Sequence, residues 1–351
     1  MVRPAYPPST LAGVLDLVES ARRDNTDHYV HLRDLRFEVA NPQPVPLHEQ
    51  IALACAAKDA PARVRLREDG WPRVFRFLGL PAGFGETLPA SMVTSSLNYK
   101  LAARADELAL MRVRHAEGSA VLRGLLPPSH VRLDDRQVLQ QLLRLAGASE
   151  LRPVNVAIRE DLLHVRLVDH REVDVGRGQE RDLVHPGIDI HNSETGAGAL
   201  SVGRCLYRVV CANGLVFPEG RAQLRRWRHA GSDAATLRRQ LAEALRASLA
   251  EMRGLTDRYR GLHGVPLVEP GETLETFMRA HKLGSPRGRT GERILLEMGR
   301  TGDLFGRSLF DFVQAVTAVA RTLDVDKRLR FEAAAGRLVA EGGVVAPPRI
   351  A

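Results

Sequence analysis

The residues of this sequence that could do chemistry most directly lie in the segment HPGIDIHNSETG. In an extended conformation His185, Asp189 and His191 share one face of the chain, because side chains of a strand alternate with a period of two. Two imidazoles and a carboxylate are donors that first-row transition metals favour, and Glu194 or Asp182 could add an oxygen ligand. The segment therefore indicates a metal centre, such as that of a metal-dependent nuclease, although its spacing matches no metalloenzyme motif.

A structural alternative for the same segment is an exposed polar strand that leads into the Gly-containing turn at 195–198.

The sequence contains no Walker A loop, no GxGxxG after a strand, no HExxH and no GxSxG. Its three cysteines, Cys55, Cys205 and Cys211, form no CxxC pair, which argues against a disulfide framework or a four-thiolate zinc site. Nothing in these patterns requires catalysis, and no cofactor is predicted.

Arginine dominates the positive charge of the chain and is concentrated between residues 204 and 260. That stretch holds twelve arginines against five acidic residues, in a chain whose formal net charge is +8. Arginines neutralise phosphates with release of counterions, and an aromatic ring or a guanidinium plane can stack on an exposed base. The residues predicted to bind nucleic acid are Arg204, Arg208, Arg221, Arg225, Arg226, Trp227, Arg228, Arg239, Arg246 and Arg253.

This basic stretch also has a structural interpretation. Trp227 could be a core anchor with a solvated rim of arginines, and the helical arginines, which recur every seven residues, could form an ordinary solvent face. By contrast, residues 160–195 carry nine acidic residues against four arginines, together with four histidines. The acidic and the basic stretches should therefore have different partners, or face each other.

The hydrophobic pattern predicts an α+β fold, with an antiparallel sheet and packed helices in a β-β-α-β-β core, followed by a helical C-terminal region. We expect a small mixed α/β unit at 1–90, the sheet-plus-helix core at 91–230 and the helical region at 231–351. No run of about 18 apolar residues and no secretion signal is found, so we expect a cytoplasmic protein that does not span a membrane.

Local signals predict the individual elements of these units. Ser9 or Thr10 would cap a first helix, and PLHEQIALACAAKDA is predicted to be a second. Glu117 and Gly118 would form the turn of a hairpin. A long helix is predicted from Ser232, and its buried stripe would consist of Leu237, Leu241, Ala244, Ser248, Met252, Leu255 and Tyr259.

Four segments of the chain resemble, in this order, the phage/plasmid-like protein family, the domain of unknown function 932. They are FRFLGLPAGFGETLPASMVTSSLNYKL, VLRGLLPPSHVRLDDRQVLQQL, GIDIHNSETGAGALSVGRCLYRVVCANGLV and SLFDFVQAVTAVAR, which together span about residues 73–325. The resemblance implies a mobile-element protein that is encoded among genes for DNA processing. The architecture is also similar to that of single-strand annealing proteins, which form rings with DNA in a basic groove.

These observations favour a non-catalytic, sequence-tolerant protein that binds or anneals single-stranded DNA in recombination, and that could assemble as a homo-oligomer. The first alternative is a metal-dependent, nuclease-like enzyme centred on His185, Asp189 and His191, with Glu194 as a further ligand. The second alternative is a structural or protein-interaction factor, because an arginine-rich surface also suits acidic protein partners.

Overall fold

A computed structural model describes residues 10–81, 83–85, 87–116, 118–145, 151–177, 181–208, 213–217, 225–227, 233–267, 269–301 and 308–340. These residues form two mainly antiparallel sheets with helices packed on them, and helices predominate after residue 233. The predicted α+β class is therefore confirmed. No helix in the described part of the chain is both long and apolar enough to cross a membrane.

The strands fall into two groups along the chain. The strands are β1 (Asn25–His31), β2 (Leu35–Val39), β3 (Ile51–Cys55), β4 (Arg63–Arg65), β5 (Leu108–Ala116), β6 (Ser119–Leu126), β7 (Leu151–Ile158), β8 (Leu163–Asp169), β9 (Val173–Asp174), β10 (Leu183–Asn192), β11 (Leu200–Arg208), β12 (Asn213–Phe217) and β13 (Arg225–Trp227). The first sheet has the strand order β1-β5-β6-β4-β3-β2, and the second has the order β12-β11-β10-β8-β7, with β9 paired to β10 and β13 paired to β11.

The helices surround these two sheets. Those before residue 150 are α1 (Leu11–Arg22), α2 (Leu47–Gln50), α3 (Trp71–Phe77), α4 (Ala90–Ala102) and α5 (Asp135–Leu145). Those after residue 230 are α6 (Ala234–Gly261), α7 (Pro270–Ala280), α8 (Arg289–Thr301), α9 (Leu309–Ala320) and α10 (Val325–Ala340). The predicted order β-β-α-β-β is present as β5, β6, α5, β7 and β8, and its two strand pairs lie in different sheets. The predicted boundaries at 90 and 230 stay predictions; the first sheet takes strands from both sides of residue 90.

The first sheet buries one face and leaves the other polar. On the buried face Phe37, Leu53 and Val64 pack against α3 and α4 in one core cluster. Asn98 of α4 fixes this packing, because its side chain accepts a hydrogen bond from the Phe37 N–H (2.8 Å) and donates one to the Phe37 carbonyl (2.9 Å). On β4 the buried Val64 lies between two exposed arginines, so the opposite face of the sheet carries positive charge.

The helix predicted over PLHEQIALACAAKDA is wrong for most of its length. Only α2 is helical, and β3 follows it directly. Ile51, Leu53 and Cys55 alternate with smaller side chains, and β3 pairs with β2 on one side and β4 on the other. Strand pairing and burial therefore override the helix propensity of the alanines in this segment.

The second sheet is covered on both faces. Its apolar face, which includes Val165, Leu167, Ile188 and Ile190, packs against α1, α5 and the first half of α6. The other face carries polar side chains beneath α10, and α9 packs beside α10. A sheet covered in this way offers few of its side chains to solvent.

Several local predictions are confirmed. Thr10 caps α1 by accepting a hydrogen bond from the Gly13 N–H (3.1 Å), and β5 and β6 form a hairpin in which Gly118 has a φ of +73°. In α6 the predicted stripe is buried at Leu237, Leu241, Ala244, Ser248, Leu255 and Tyr259, whereas the side chain of Met252 lies outside the described residues. The long α10 was not predicted.

Candidate functional site

A cluster of ionisable side chains lies on the polar face of the second sheet. In the register of β8 and β10, His164 pairs with His191 and Arg166 pairs with Asp189. The two pairs are two residues apart along each strand, so the four side chains lie on the same face of the sheet. The carboxylate of Asp189 contacts all three of the others. His164 Nε2 lies 2.9 Å from Oδ1, Arg166 Nε lies 2.8 Å from Oδ1, and His191 Nε2 lies 2.7 Å from Oδ2.

Helix α10 packs over this cluster and contributes Glu332 and Arg328 to it. Arg166 Nη2 donates to Glu332 Oε2 (2.6 Å), and Arg328 Nε donates to Glu332 Oε1 (2.8 Å). The side chains of Arg166, Asp189 and Glu332 are fully buried. Two arginines therefore face two carboxylates in the interior, and this pairing offsets the cost of removing the charges from water.

Burial and neighbouring charges set the protonation of the cluster. Burial by itself would raise the pKa of Asp189, but Arg166 and the two imidazoles outweigh burial and hold that pKa well below its ordinary value. Burial lowers the pKa of His164 from 6.5 to about 4 against the opposing effect of Asp189, so this imidazole is neutral near pH 7. Because the ionised carboxylate only accepts, Nε2 of His164 carries the proton. Its Nδ1 has no hydrogen-bond partner among the described residues.

Two cavities flank the cluster. His164 lines a cavity of about 190 Å³ together with Asn155 and Arg328. Asp189 and His191 line a cleft of about 590 Å³ on the other side, and Ser201 lies directly opposite His191 in the register of β10 and β11. The cleft thus presents an imidazole whose orientation is fixed by a carboxylate, which is an arrangement suited to proton transfer or to metal binding.

A second buried cluster joins the two sheets to α1 and α5. Arg123 of β6, which is 1% exposed, donates from Nε to Glu160 (2.8 Å) and from Nη2 to Glu194 (2.5 Å). Arg22 at the end of α1 contacts Asp135 (2.9 Å) as well as both glutamates. These charges therefore hold the sheets together through ion pairs in the interior.

The carboxyls of this second cluster differ in protonation. Burial, followed by the charge of Glu194, raises the pKa of Asp135 to about 7, and Arg22 opposes the rise. Burial would also raise the pKa of Glu194, but Arg123, Arg22 and Arg112 outweigh it and lower that pKa to about 2. Glu194 is thus ionised near neutral pH, and Asp135 is the carboxyl of the pair that takes up a proton there.

An open groove of about 1340 Å³ runs along the polar face of the first sheet. Its lining extends from β3, β4 and β6 to the ends of α1 and β7, and includes six arginines against four acidic residues. Arg63 and Arg65 of β4 are exposed, and within the described residues neither has an ion-pair partner. Each of the other four arginines of the lining contacts a carboxylate; these are Arg22, Arg67, Arg114 and Arg159.

The comparison with known protein families agrees with one part of the resemblance. Residues 158–321 match the model of a family described as Domain of unknown function (DUF932). Over these residues the chain is similar to the DUF932 family. No curated protein and no solved structure matches the chain. The matched region includes β8, β10 and β11, so His164, Asp189 and His191 all lie within the residues that match this family.

The structure brings together two of the four predicted metal ligands. The other two lie elsewhere, and a histidine that was not predicted joins the cluster. His191 and Asp189 are in contact, but His185 Nδ1 is bound to the Asp169 carbonyl (2.9 Å) at the other end of β10. Glu194 belongs to the second cluster, where Arg123 and Arg22 occupy its carboxylate. The residue that sequence reasoning missed is His164, which is brought to Asp189 by the strand register alone.

The arginines predicted to bind nucleic acid are dispersed in the structure. Arg204 is buried beside Ile188 on the apolar side of the sheet and does not lie on an open surface. Arg208 is bound to Asp182 (2.5 Å) and Gln314 (3.0 Å). Its pairing with Asp182 shows that the basic and acidic stretches face each other here, as neighbouring strands.

The remaining predicted residues fall into three groups. On α6, Arg239 and Arg246 are exposed, and only the backbone of Arg253 is described. Arg225, Arg226 and Trp227 form β13, whose backbone pairs with residues 200–202 of β11. The two positions that lie outside the described residues are Arg221 and Arg228.

The buried imidazole of His164 should make the protein sensitive to acid. Its pKa in the folded protein, about 4, is below the ordinary value of 6.5, so the unfolded chain takes up the proton first. The stability that this residue contributes is complete above pH 6.5 and is lost as the pH falls towards 4. We expect a loss of about 2 kcal/mol between pH 7 and pH 5 from this residue.

Urea unfolding of the protein and of the His164→Gln variant at both pH values measures this effect. Glutamine can still donate to Asp189 but does not titrate, so the variant should lose less stability between the two pH values. An equal pH dependence in the two proteins would assign the acid sensitivity to other groups. His281, whose pKa is also lowered to about 4 by burial and by Arg337, is the first of these.

Proposed function

We propose that the protein binds single-stranded nucleic acid, with single-stranded DNA as the first candidate, in the groove on the polar face of the first sheet. Binding would be non-catalytic and tolerant of sequence. The observation that carries this proposal is the pair of exposed arginines, Arg63 and Arg65, that face a cleft of about 1340 Å³ and have no carboxylate partner among the residues that the structure describes. Free guanidinium groups along a groove attract a chain of phosphates.

The shape of the groove supports access by a flexible strand. Opposite Arg63 and Arg65 on β3 lie Ala54 and Ala52, whose short side chains keep the sheet surface low beside the arginines. The groove continues past Arg63 into a space of about 450 Å³ that His115 also lines. Arg36 extends the positive face, because it is exposed and pairs with Ala54 on the side away from Arg63.

The lining also indicates how bases would be treated. The described lining contains no Phe, Tyr or Trp, so stacking would fall to guanidinium planes and to His48. Contacts would therefore be mainly to phosphates, and these carry little sequence information. A single strand can follow a recess between two sheets more easily than a duplex, which is stiff and presents its phosphates on a convex surface.

The proposed interface lies outside residues 204–260, where the sequence concentrates its arginines. Of that stretch, Arg239 and Arg246 are exposed and could extend the contact surface. Strand annealing, homo-oligomer formation and a role in recombination on mobile elements are further parts of the same proposal.

Fluorescence anisotropy with labelled oligo(dT) and with a duplex of equal length tests the proposal. The experiment is run in EDTA between 50 and 200 mM salt, with light scattering of the free protein. We expect a preference for the single strand. We also expect the logarithm of the binding constant to fall with the logarithm of the salt concentration with a slope of about −2 or steeper, since each phosphate contact on a single strand contributes about −0.7. Binding that is weak, or equal for both DNAs, would contradict it.

A further inference from the structure

Beyond nucleic-acid binding, we propose that His164, Asp189 and His191 bind one divalent transition-metal ion. One donor atom from each side chain lies within 4.8 Å of the other two. All three lie on the same face of the neighbouring strands β8 and β10, and Asp189 is fully buried, so the set is assembled by the sheet and not by a mobile loop. Two imidazoles and one carboxylate form a donor set that suits Zn²⁺, Co²⁺ or Ni²⁺.

The hydrogen bonds of His164 permit the change of tautomer that metal binding through Nε2 requires. This imidazole is 1% exposed, and its Nδ1 has no hydrogen-bond partner in the described residues. Because no hydrogen bond from a described residue holds Nδ1 in its unprotonated form, the ring proton can move from Nε2 to Nδ1 and leave the Nε2 lone pair for an ion.

The neighbouring charges leave one side of the carboxylate available. Arg166 contacts only Oδ1 of Asp189 and is itself matched by Glu332, so it acts as an outer partner that orients the carboxylate. Oδ2 faces His191 instead. An ion held by Oδ2 and the two Nε2 atoms needs both imidazoles neutral with their protons on Nδ1, so protons compete with the ion and binding should weaken as the pH falls.

Three protein donors leave a position of the ion open. Asp189 and His191 both line the cleft of about 590 Å³, and the imidazole of His191 is 19% exposed, which gives an ion a path of entry. The same cleft is lined by Arg330, Arg337 and Ser201. An anionic oxygen ligand, such as that of phosphate, would find both the ion and two arginines there. Three protein ligands with one open position are typical of catalytic rather than structural zinc.

The test uses the full chain without a histidine tag, first dialysed against a chelator. Titration with Co²⁺ is followed by visible absorption, which reports the ligands and their number, and competition with Zn²⁺ then gives the zinc affinity. Elemental analysis after gel filtration gives the stoichiometry. We expect one ion per chain and a spectrum with nitrogen ligands in a site of low coordination number.

Two variants of His191 and one control make the assignment specific. His191→Ala should weaken Co²⁺ and Zn²⁺ binding by at least about tenfold, since even changes to outer-shell partners cost 10- to 100-fold. His191→Gln keeps a donor for Asp189, so it should fold and still lose the ion. His281→Ala removes an imidazole that lines the same cleft but belongs to no ligand set, and it should bind as the unaltered protein does.

Three outcomes would overturn the proposal: no bound ion after gel filtration, equal affinity in the His191 and His281 variants, or a spectrum of oxygen ligands only. The DNA measurement in EDTA is independent of these results. Failure of the metal site therefore leaves the groove proposal intact, and failure of the groove leaves the metal site intact.

Discussion

Replacing Arg63 and Arg65 together by glutamine should lower the affinity for oligo(dT) by about 10- to 100-fold at ~0.1 M salt. Both arginines are exposed on β4 and have no carboxylate partner in the described part of the chain, so their full charge is available to phosphate. Two lost phosphate contacts should also flatten the logarithmic salt slope by about 1.4. Anisotropy titrations over the salt series measure both quantities.

Two double variants with the same loss of charge serve as controls. Arg287→Gln with Arg293→Gln removes two exposed arginines at and before α8, a helix that does not line the groove, and should change affinity little. Arg225→Gln with Arg226→Gln tests the surface that the sequence favours. If this β13 variant weakens binding and the β4 variant does not, the interface lies at β13 and the groove proposal is wrong.

The sequence predicts those parts of the fold that depend on local patterns. Thr10 as a cap, the turn at Gly118 and the buried stripe of α6 each follow from a few neighbouring residues, and all are confirmed. The segment at β3 shows the limit of such reasoning. Its alanines favour a helix, and only its pairing with β2 and β4, which no local pattern reveals, makes it a strand.

The candidate site was predictable only in part, for a similar reason. Alternation along β10 places Asp189 and His191 on one face, but the third imidazole is 25 residues from Asp189 and arrives through the register of β8. Alternation along β11 also separates Arg204 from Cys205. It does not reveal that both faces of this strand are covered, and for that reason Arg204 is buried instead of facing solvent.

The groove could not be predicted from charge density along the sequence. Its lining comes from residues between 21 and 160, and this part of the chain contains acidic residues that pair with most of the arginines. What distinguishes Arg63 and Arg65 is the absence of a described partner, which is a property of the folded chain. Conversely, Arg208 lies in the most basic stretch and is bound to Asp182.

Replacing Arg123 by methionine should destabilise the protein by about 3 to 5 kcal/mol. Arg123 is 1% exposed and contacts Glu160 and Glu194, which are 6% and 3% exposed. Methionine can fill the space but leaves both carboxylates with one cation fewer in the interior, where an unpaired charge is costly. Urea unfolding at pH 7 gives the change in the free energy of unfolding.

Two further variants separate the buried charge from the loss of an arginine. Arg67→Met breaks a pair with Asp69 whose side chains are 36% and 38% exposed, and it should cost no more than about 1 kcal/mol. Adding Glu194→Gln to Arg123→Met should recover part of the lost stability, because the carboxylate left without Arg123 is then neutral. If Glu194→Gln lowers the free energy of unfolding as much in the Arg123→Met background as it does alone, the two substitutions act independently. Arg22 and Arg112 then suffice to compensate the charge of Glu194, and Arg123 acts mainly through Glu160. Because Glu160 also lines the groove, that result would link the ion pairs between the sheets directly to the shape of the proposed binding surface.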